Sequence, residues 1–141
     1  MAMTKIRYAE NADKEFWFSL DKHLPLKEFE RKIKDRQCYI ALKDGNDAGL
    51  LRYNLFWDSI PFCNMLYIDP QYREMGCGKQ LMEHWEEDMR SQGSHAVMTS
   101  SRSDETAQHF FRRLGYKDCG ALIINDTVYK QPAEIMFIKA V

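Results

Sequence analysis

Leu66-Tyr67-Ile68-Asp69-Pro70-Gln71-Tyr72-Arg73-Glu74-Met75-Gly76-Cys77-Gly78-Lys79 is the stretch on which the reading of this chain turns. It passes from the end of a strand, through a turn, into a helix whose apolar stripe is Leu81, Met82, Trp85 and Met89. A helix start leaves backbone N–H groups unpaired and carries partial positive charge, so a phosphate placed there finds donors. Glycines at 76 and 78 remove side chains that would block close approach, and Arg73 and Lys79 add formal charge. The stretch therefore predicts a phosphate or pyrophosphate cradle. Other phosphate loops fail on register. A P-loop needs Gly, four residues, then Gly-Lys-Ser/Thr, but Arg73 stands at the first Gly and Gln80 at the hydroxyl position. A dinucleotide G-x-G-x-x-G needs Gly where Leu81 stands, and it normally follows an early strand. The G-x-S-x-G elbow of serine hydrolases is absent.

Periodicity on either side gives a mixed order. Ile6-Arg7-Tyr8 reads as a first strand, and Asp13 is placed to cap a helix carrying Phe16, Trp17 and Leu20. Pro25 suits the first turn of a second helix with Leu26, Phe29 and Ile33 inward. Cys38–Lys43 and Ala48–Phe56 form a hairpin across Asp44-Gly45-Asn46, and Phe62–Ile68 is the next strand. The glycine loop and its helix follow; Gly93 is a natural stop. The acidic run Glu83, Glu86, Glu87 and Asp88 reads as a solvated face of that helix. His95–Ser100 is a strand. Ala107, Phe110, Phe111 and Leu114 make one helical face that ends at Gly115, and Tyr116–Ile124 and Ile135–Ile138 are the last strands. The order β-α-α-β-β-β-α-β-α-β-β predicts an α/β chain with a mixed sheet.

Length and composition agree with one soluble domain. The chain has 141 residues, 45% hydrophobic and 13% aromatic, enough apolar area for a core without disulfides or metals. Charges nearly cancel at −1, so no global field draws in a polyanion, and no nucleic acid is expected as partner. No apolar run approaches the ~18 residues that would span a bilayer, so no membrane is expected either. The start, Met1 to Glu10, lacks the apolar segment of a secretory signal, and the cytoplasm is the expected compartment. Cys38, Cys63, Cys77 and Cys119, like His23, His84, His95 and His109, are scattered without the close pairs of a zinc site, so no metal is expected.

Two blocks carry a resemblance. Arg73-Glu74-Met75-Gly76-Cys77-Gly78, preceded by Ile68-Asp69-Pro70-Gln71-Tyr72, fits an Arg/Gln-x-x-Gly-x-Gly/Ala signature for acyl-CoA. Asp104-Glu105-Thr106-Ala107-Gln108-His109-Phe110-Phe111-Arg112-Arg113-Leu114-Gly115-Tyr116 fits a second block, an Ala-containing helix ending in Gly-Phe or Gly-Tyr. In this order the chain resembles the GNAT superfamily, the Gcn5-related N-acetyltransferases, over essentially its whole length. The resemblance implies one N-acetyltransferase domain over residues 1–141. It implies a central mixed, largely antiparallel sheet with two splayed parallel strands and helices on both faces. Acetyl-CoA is the implied acyl donor, held by Leu66, Tyr67 and Ile68 along its pantetheine. Main-chain N–H groups of Met75, Gly76, Cys77, Gly78 and Lys79 would hold the pyrophosphate, with Arg73, Glu74, Asp104 and Phe111 also at the cofactor. A backbone N–H near Leu66 would face the developing oxyanion, a donor worth roughly 3 kcal/mol in comparable sites.

The reaction implied is direct transfer of acetyl from the thioester to a primary amine of a small molecule or peptide, by a chain that also allows a homodimer. A neutral amine must attack, and the departing thiolate takes a proton. Phe111 stands where many relatives carry a Tyr hydroxyl for that proton, and Asp104 where many carry Asn; Asp104 is placed to cap the helix instead. Asp58 and Glu134, each just before a strand, are candidate bases, and Tyr129 a candidate acid. Phe56, Trp57 and Phe62 are candidates for a substrate pocket or for core. Cys77 reads as a loop residue whose N–H matters. A different class, a non-catalytic acyl-CoA-binding sensor, draws its support from Phe111.

Overall fold

The computed structural model describes residues 4–141; Met1, Ala2 and Met3, the first part of the start read as lacking a signal, lie outside the described residues. The strands are β1 (Thr4–Tyr8), β2 (Cys38–Lys43), β3 (Asn46–Phe56), β4 (Ile60–Ile68), β5 (Ala96–Arg102), β6 (Lys117–Leu122) and β7 (Glu134–Ala140). The helices are α1 (Lys14–Leu20), α2 (Leu26–Lys34), α3 (Cys77–Ser91) and α4 (Ala107–Arg113). The strands form one seven-stranded mixed sheet in the order β1-β2-β3-β4-β5-β7-β6. The order of elements is the one the periodicity predicts. No helix among the described residues is long and apolar enough to cross a membrane.

The chain folds as two compact units, residues 4–54 with 64–87, and residues 55–63 with 88–141. In the first, β1, β2 and β3 alternate side chains between two faces. Ile40 and Leu50 on one face join Trp17 of α1 and Phe29 of α2 in a buried cluster. Tyr39 and Tyr53 on the other meet α3, Tyr39 against His84 (5.8 Å between rings) and Tyr53 against Trp85 (5.9 Å). Leu81, Met82 and Trp85 are fully buried, as the stripe on α3 predicts. The end of α1 is tied down by charge: the buried Asp21 carboxylate accepts from Trp17 Nε1 (3.1 Å), Arg52 Nε (2.8 Å) and the His23 N–H (3.1 Å).

Three sequence expectations need correction here. Glu86 is not on a solvated face; it is 5% exposed, because its place on α3 follows Trp85 onto the buried side. Leu26 is 49% exposed although it shares a helical face with the buried Phe29; as the first residue of α2 it stands at the end of that face. Asp13 stands at the N-cap position of α1 but does not cap it. Its carboxylate is taken by Arg7, Nη1 to Oδ2 at 2.7 Å and Nη2 to Oδ1 at 2.8 Å, and by the Glu10 N–H at 2.7 Å.

In the second unit, β5 runs parallel to β4 for the pairs Phe62↔Met98 and Cys63↔Thr99, and antiparallel to β7 over its whole length. The Thr99 hydroxyl donates to the Cys63 carbonyl (3.0 Å). Phe111 of α4 packs on Phe137 of β7 (5.9 Å) and on Tyr116 (5.9 Å). β6 ends at Leu122, two residues before the expected Ile124, and a shift in its pairing with β7 between Asp118 and Gly120 skips Cys119. The turn into β4 has Trp57 (φ 55°) and Asp58 (φ 61°) both left-handed, closed by the Ser59 N–H to the Phe56 carbonyl (3.2 Å).

β3 and β4 approach closely at Gly49. A Cβ there would lie 2.5 Å from Ile68 Cδ1 and 2.9 Å from the Tyr67 carbonyl oxygen. The side chain can move, but the strand's carbonyl cannot without losing pairing. We expect Gly49→Ala to cost about 1–3 kcal/mol in denaturant unfolding, as overpacking does elsewhere. A second expectation concerns pH. The Arg7 hydrogen bonds hold the Asp13 carboxyl below the usual carboxylate range, against the opposing effect of burial. A folded pKa below the unfolded one gives stability that is present above pH about 4 and lost as pH falls through the folded value. Arg7→Gln should therefore cost on the order of 1 kcal/mol at pH 7, and in denaturant melts the gap to the wild type should narrow as the pH falls below about 4.

Candidate active site

The cradle stretch lies within the first unit, and local bonds build it. Asp69 ends β4: its N–H donates to the Ala48 carbonyl (2.8 Å), and its carbonyl accepts from Tyr72 N–H (2.8 Å). Its side chain accepts from Gln71 N–H (3.2 Å), so Pro70–Tyr72 winds as a 3-10 turn. Glu74 (φ 63°) and Gly76 (φ 84°) then reverse the chain with left-handed backbone. α3 closes its first bond from Gln80 N–H to the Gly76 carbonyl (3.0 Å), which leaves the N–H groups of Cys77, Gly78 and Lys79 at its open end.

Space and charge at this end fit an anion. Nothing lies within 4 Å of where a Cβ on Gly76 would stand, so the backbone is open to a large group. Met75, Glu74 and Lys79 are exposed, and Gly78 is half-buried. Arg73 is held rather than loose. Its Nε donates to the Ile68 carbonyl (3.0 Å), and its guanidinium lies over the Tyr67 ring at 5.1 Å. One end of that guanidinium thus seals the last carbonyl of β4 while the positive charge stays beside the turn. This second duty of Arg73 carries no sequence signal of its own. Leu66, Tyr67 and Ile68 are half-buried on β4, beyond the pairs that β4 forms with β5.

Cys77 is not a loop residue; it opens α3 with its side chain 1% exposed, its sulfur 3.9 Å from the Thr4 hydroxyl. What it offers to the open end is its N–H, as read from the sequence, because an inward thiol lets the helix start sit on the sheet.

The remaining candidates fall in the second unit. Phe111 is buried among Phe110, Tyr116 and Phe137, with its ring on the sheet. Asp104 does not cap α4, which begins at Ala107 after Thr106. Its carboxylate is instead gripped by Arg102, Nε to Oδ1 at 3.1 Å and Nη2 to Oδ2 at 3.0 Å, and this holds its pKa down. Asp58 and Tyr129 are exposed, the one on the β3–β4 turn and the other in the loop before β7. Trp57 is 77% exposed on the same turn, Phe56 is half-buried and Phe62 is buried, so only Phe62 is core. Glu134 opens β7 half-buried, accepting from Ser100 Oγ at Oε2 (2.7 Å) and from Gln131 Nε2 at Oε1 (2.8 Å). Ser100 and Gln131 were not legible as partners, because a cross-strand bond depends on register.

A sequence profile described as the acetyltransferase (GNAT) family matches residues 5–116. The fold is similar to Ard1 from Thermoplasma volcanium, with a TM-score of 0.83 at 16% identity, covering 98% of this chain and 97% of that one. It is similar to the ribosomal-protein-S18-alanine N-acetyltransferase from Escherichia coli, with a TM-score of 0.80 at 18% identity over 99% and 94%. It is also similar to Arabidopsis thaliana Naa50 in complex with a bisubstrate analogue, CoA-Ac-MVNAL, with a TM-score of 0.80 at 12% identity over 98% and 99%. At these identities the likeness is one of fold. No curated protein matches by sequence.

The cysteines separate cleanly. Cys38, Cys63 and Cys77 are buried and Cys119 is exposed. Burial pushes the Cys38 thiol up to about 12. Burial, with Asp118 beside it, also raises the Cys119 thiol, so it ionises above the usual range for a thiol. We expect one of the four thiols to react with a disulfide reagent in the native chain, faster as pH rises above 8, and all four after unfolding. A native rapid reaction at Cys77, located by peptide mapping, would contradict the inward thiol.

Proposed function

From the premise that this chain belongs to the acetyltransferase (GNAT) family, we propose that it is an acetyl-CoA-dependent N-acetyltransferase working as one domain over residues 1–141. The observation that carries the reading is the open end of α3, where Gly76 is left-handed with empty space at its Cβ position and three first-turn N–H groups follow it. Acetyl-CoA as the donor is supported by proteins of similar fold that hold it or its product, an N-acetylglutamate synthase in complex with coenzyme A and a streptothricin acetyltransferase in complex with acetyl coenzyme A.

In this reading the N–H groups of Met75 to Lys79 hold the pyrophosphate, with Arg73 and Lys79 adding charge. The half-buried backbone of Leu66, Tyr67 and Ile68 receives the pantetheine. The thioester lies beside the backbone of Leu66, where an N–H faces the developing oxyanion. The acceptor nitrogen, neutral after giving up a proton, forms the N–C bond as the C–S bond breaks, and the thiolate takes a proton. Phe111 has no proton to give and its ring is committed to Phe137, so the thiolate draws its proton from solvent or the acceptor. A thiol with a pKa near ~8.5 is a tolerable leaving group without an acid. The acceptor is a primary amine of a peptide or small molecule. The cytoplasm is the proposed compartment, in keeping with free cysteines and an exposed Cys119.

Phe111 also favours a second reading, an acyl-CoA sensor without turnover. Release of free CoA with a panel of amines separates the two. The cradle has its own test. Gly76→Ala adds a methyl to empty space at positive φ and should cost only backbone strain, about 1 kcal/mol. Gly76→Glu adds the same strain plus a carboxylate facing the pyrophosphate. In calorimetry with acetyl-CoA we expect Glu to weaken binding at least tenfold beyond Ala. Equal affinities in the two folded variants would sink the placement.

A further inference from the structure

The row of β2 that lies under α3 ends on a lysine. β1 and β2 pair in register without a shift, Tyr8 with Tyr39, Ile6 with Ala41 and Thr4 with Lys43. Tyr39, Ala41 and Lys43 therefore project to one side. Tyr39 meets His84 of α3 on that side, and Tyr39 and Ala41 are buried while Lys43 is half-buried. Thr4, paired with Lys43 and on the same side, brings its hydroxyl to 3.9 Å from the sulfur of Cys77, the first residue of α3. Lengths agree with these two contacts. From His84 back to Cys77 a helix covers about 10 Å, and from Tyr39 to Lys43 a strand covers about 14 Å. Lys43 is thus level with the open end of α3 or just past it.

Charge at that end is unbalanced. The first turn of α3 has no acidic residue, although the helix dipole favours one there. It has Lys79 instead, and Arg73 is held beside it by the Ile68 carbonyl and the Tyr67 ring. Among the described residues, the ammonium groups of Lys43 and Lys79 have neither an ion pair nor a hydrogen bond. Elsewhere in this unit the pattern differs, since Arg7 and Arg52 are matched to Asp13 and Asp21. Three cations around unpaired N–H groups oppose one another and the dipole. An anion at the open end relieves all of them together, and a half-buried contact is screened less by salt than an exposed one.

We infer that Lys43 is a further cofactor-binding residue, reaching from β2 to the pyrophosphate held by the N–H groups of Met75 to Lys79. The inference rests on the proposed cofactor reading, and every residue it uses lies in the first unit. It gives the cradle a cation that the Arg73–Gly78 stretch does not contain and that only the β1–β2 register brings there. A lysine is a point charge on a flexible stem, so an arginine at the same place keeps the charge. Removing the charge has two opposite effects: the anion is held less well, and the empty chain loses a repulsion. A lysine that served packing alone would lose stability with its stem.

The test uses the full chain labelled with 15N and follows the backbone amide signals of Gly76 and Gly78. Inorganic pyrophosphate and acetyl-CoA are titrated separately into the wild type, Lys43→Gln, Lys43→Arg and Lys27→Gln. Lys27 is exposed on α2, whose Phe29 packs on the other face of the sheet, so its loss changes net charge equally. In the wild type, pyrophosphate should move both glycine signals. Lys43→Gln should weaken pyrophosphate and acetyl-CoA by about fivefold or more, the size of one partly screened charge contact. Lys43→Arg and Lys27→Gln should both stay within about twofold of the wild type. Without ligand, Lys43→Gln should melt at or above the wild-type Tm. Glycine signals unmoved by pyrophosphate, equal pyrophosphate affinity in Lys43→Gln and wild type, the same loss in Lys27→Gln, no recovery in Lys43→Arg, or a lower Tm in the empty Lys43→Gln chain would each overturn the inference. Failure of acetyl-CoA to bind the wild type would instead refute the cofactor reading, and the pyrophosphate titrations would still decide the role of Lys43.

Discussion

A missing side chain at Gly49 sets where β4 ends. With hydrogen alone on that Cα, the backbone of β3 comes close enough to Tyr67 and Ile68 that Asp69 can donate to the Ala48 carbonyl. Asp69 then nucleates the 3-10 turn, Glu74 and Gly76 reverse the chain, and α3 opens at Cys77. Each step fixes the next within a few bonds. The turn spends left-handed backbone at Glu74, a position where most residues pay about 1–2 kcal/mol. That strain is held by the bonds on either side, and its product is a helix start whose donors are directed outward.

Charge in this chain is managed locally. Arg7 pairs with Asp13, Arg52 with Asp21, Arg102 with Asp104 and Arg112 with Asp118. These pairs cancel within the fold, in line with the net charge of −1. Arg73 is used differently, donating to a carbonyl and lying on a ring, so its positive charge is positioned without being neutralised. An anion site made this way depends on backbone donors and one fixed guanidinium, and it needs no basic surface around it.

The fold was largely legible because its long apolar stripes have one period each. Leu81, Met82, Trp85 and Met89 could be placed on one face of a helix from spacing alone, and they are buried. The turn chemistry at 69–78 was legible too, since Asp, Pro and Gly announce backbone shapes. Short polar side chains were not. Asp13 and Asp104 both stand where a cap is expected, yet each was claimed by an arginine, six residues away in one case and two in the other. Local sequence offers a carboxylate several partners, and a bidentate guanidinium outcompetes a helix N–H. Glu86 was misread because a charged residue flanking a stripe reads as solvated until the neighbouring strands are in place.

The unlike faces of the second unit were hidden for the same reason. Strand residues alternate, but which parity meets a helix is decided by the register of three chains at once. Phe137 turns to α4 through Phe111, so Met136 and Glu134, its neighbours by one and three, must turn the other way.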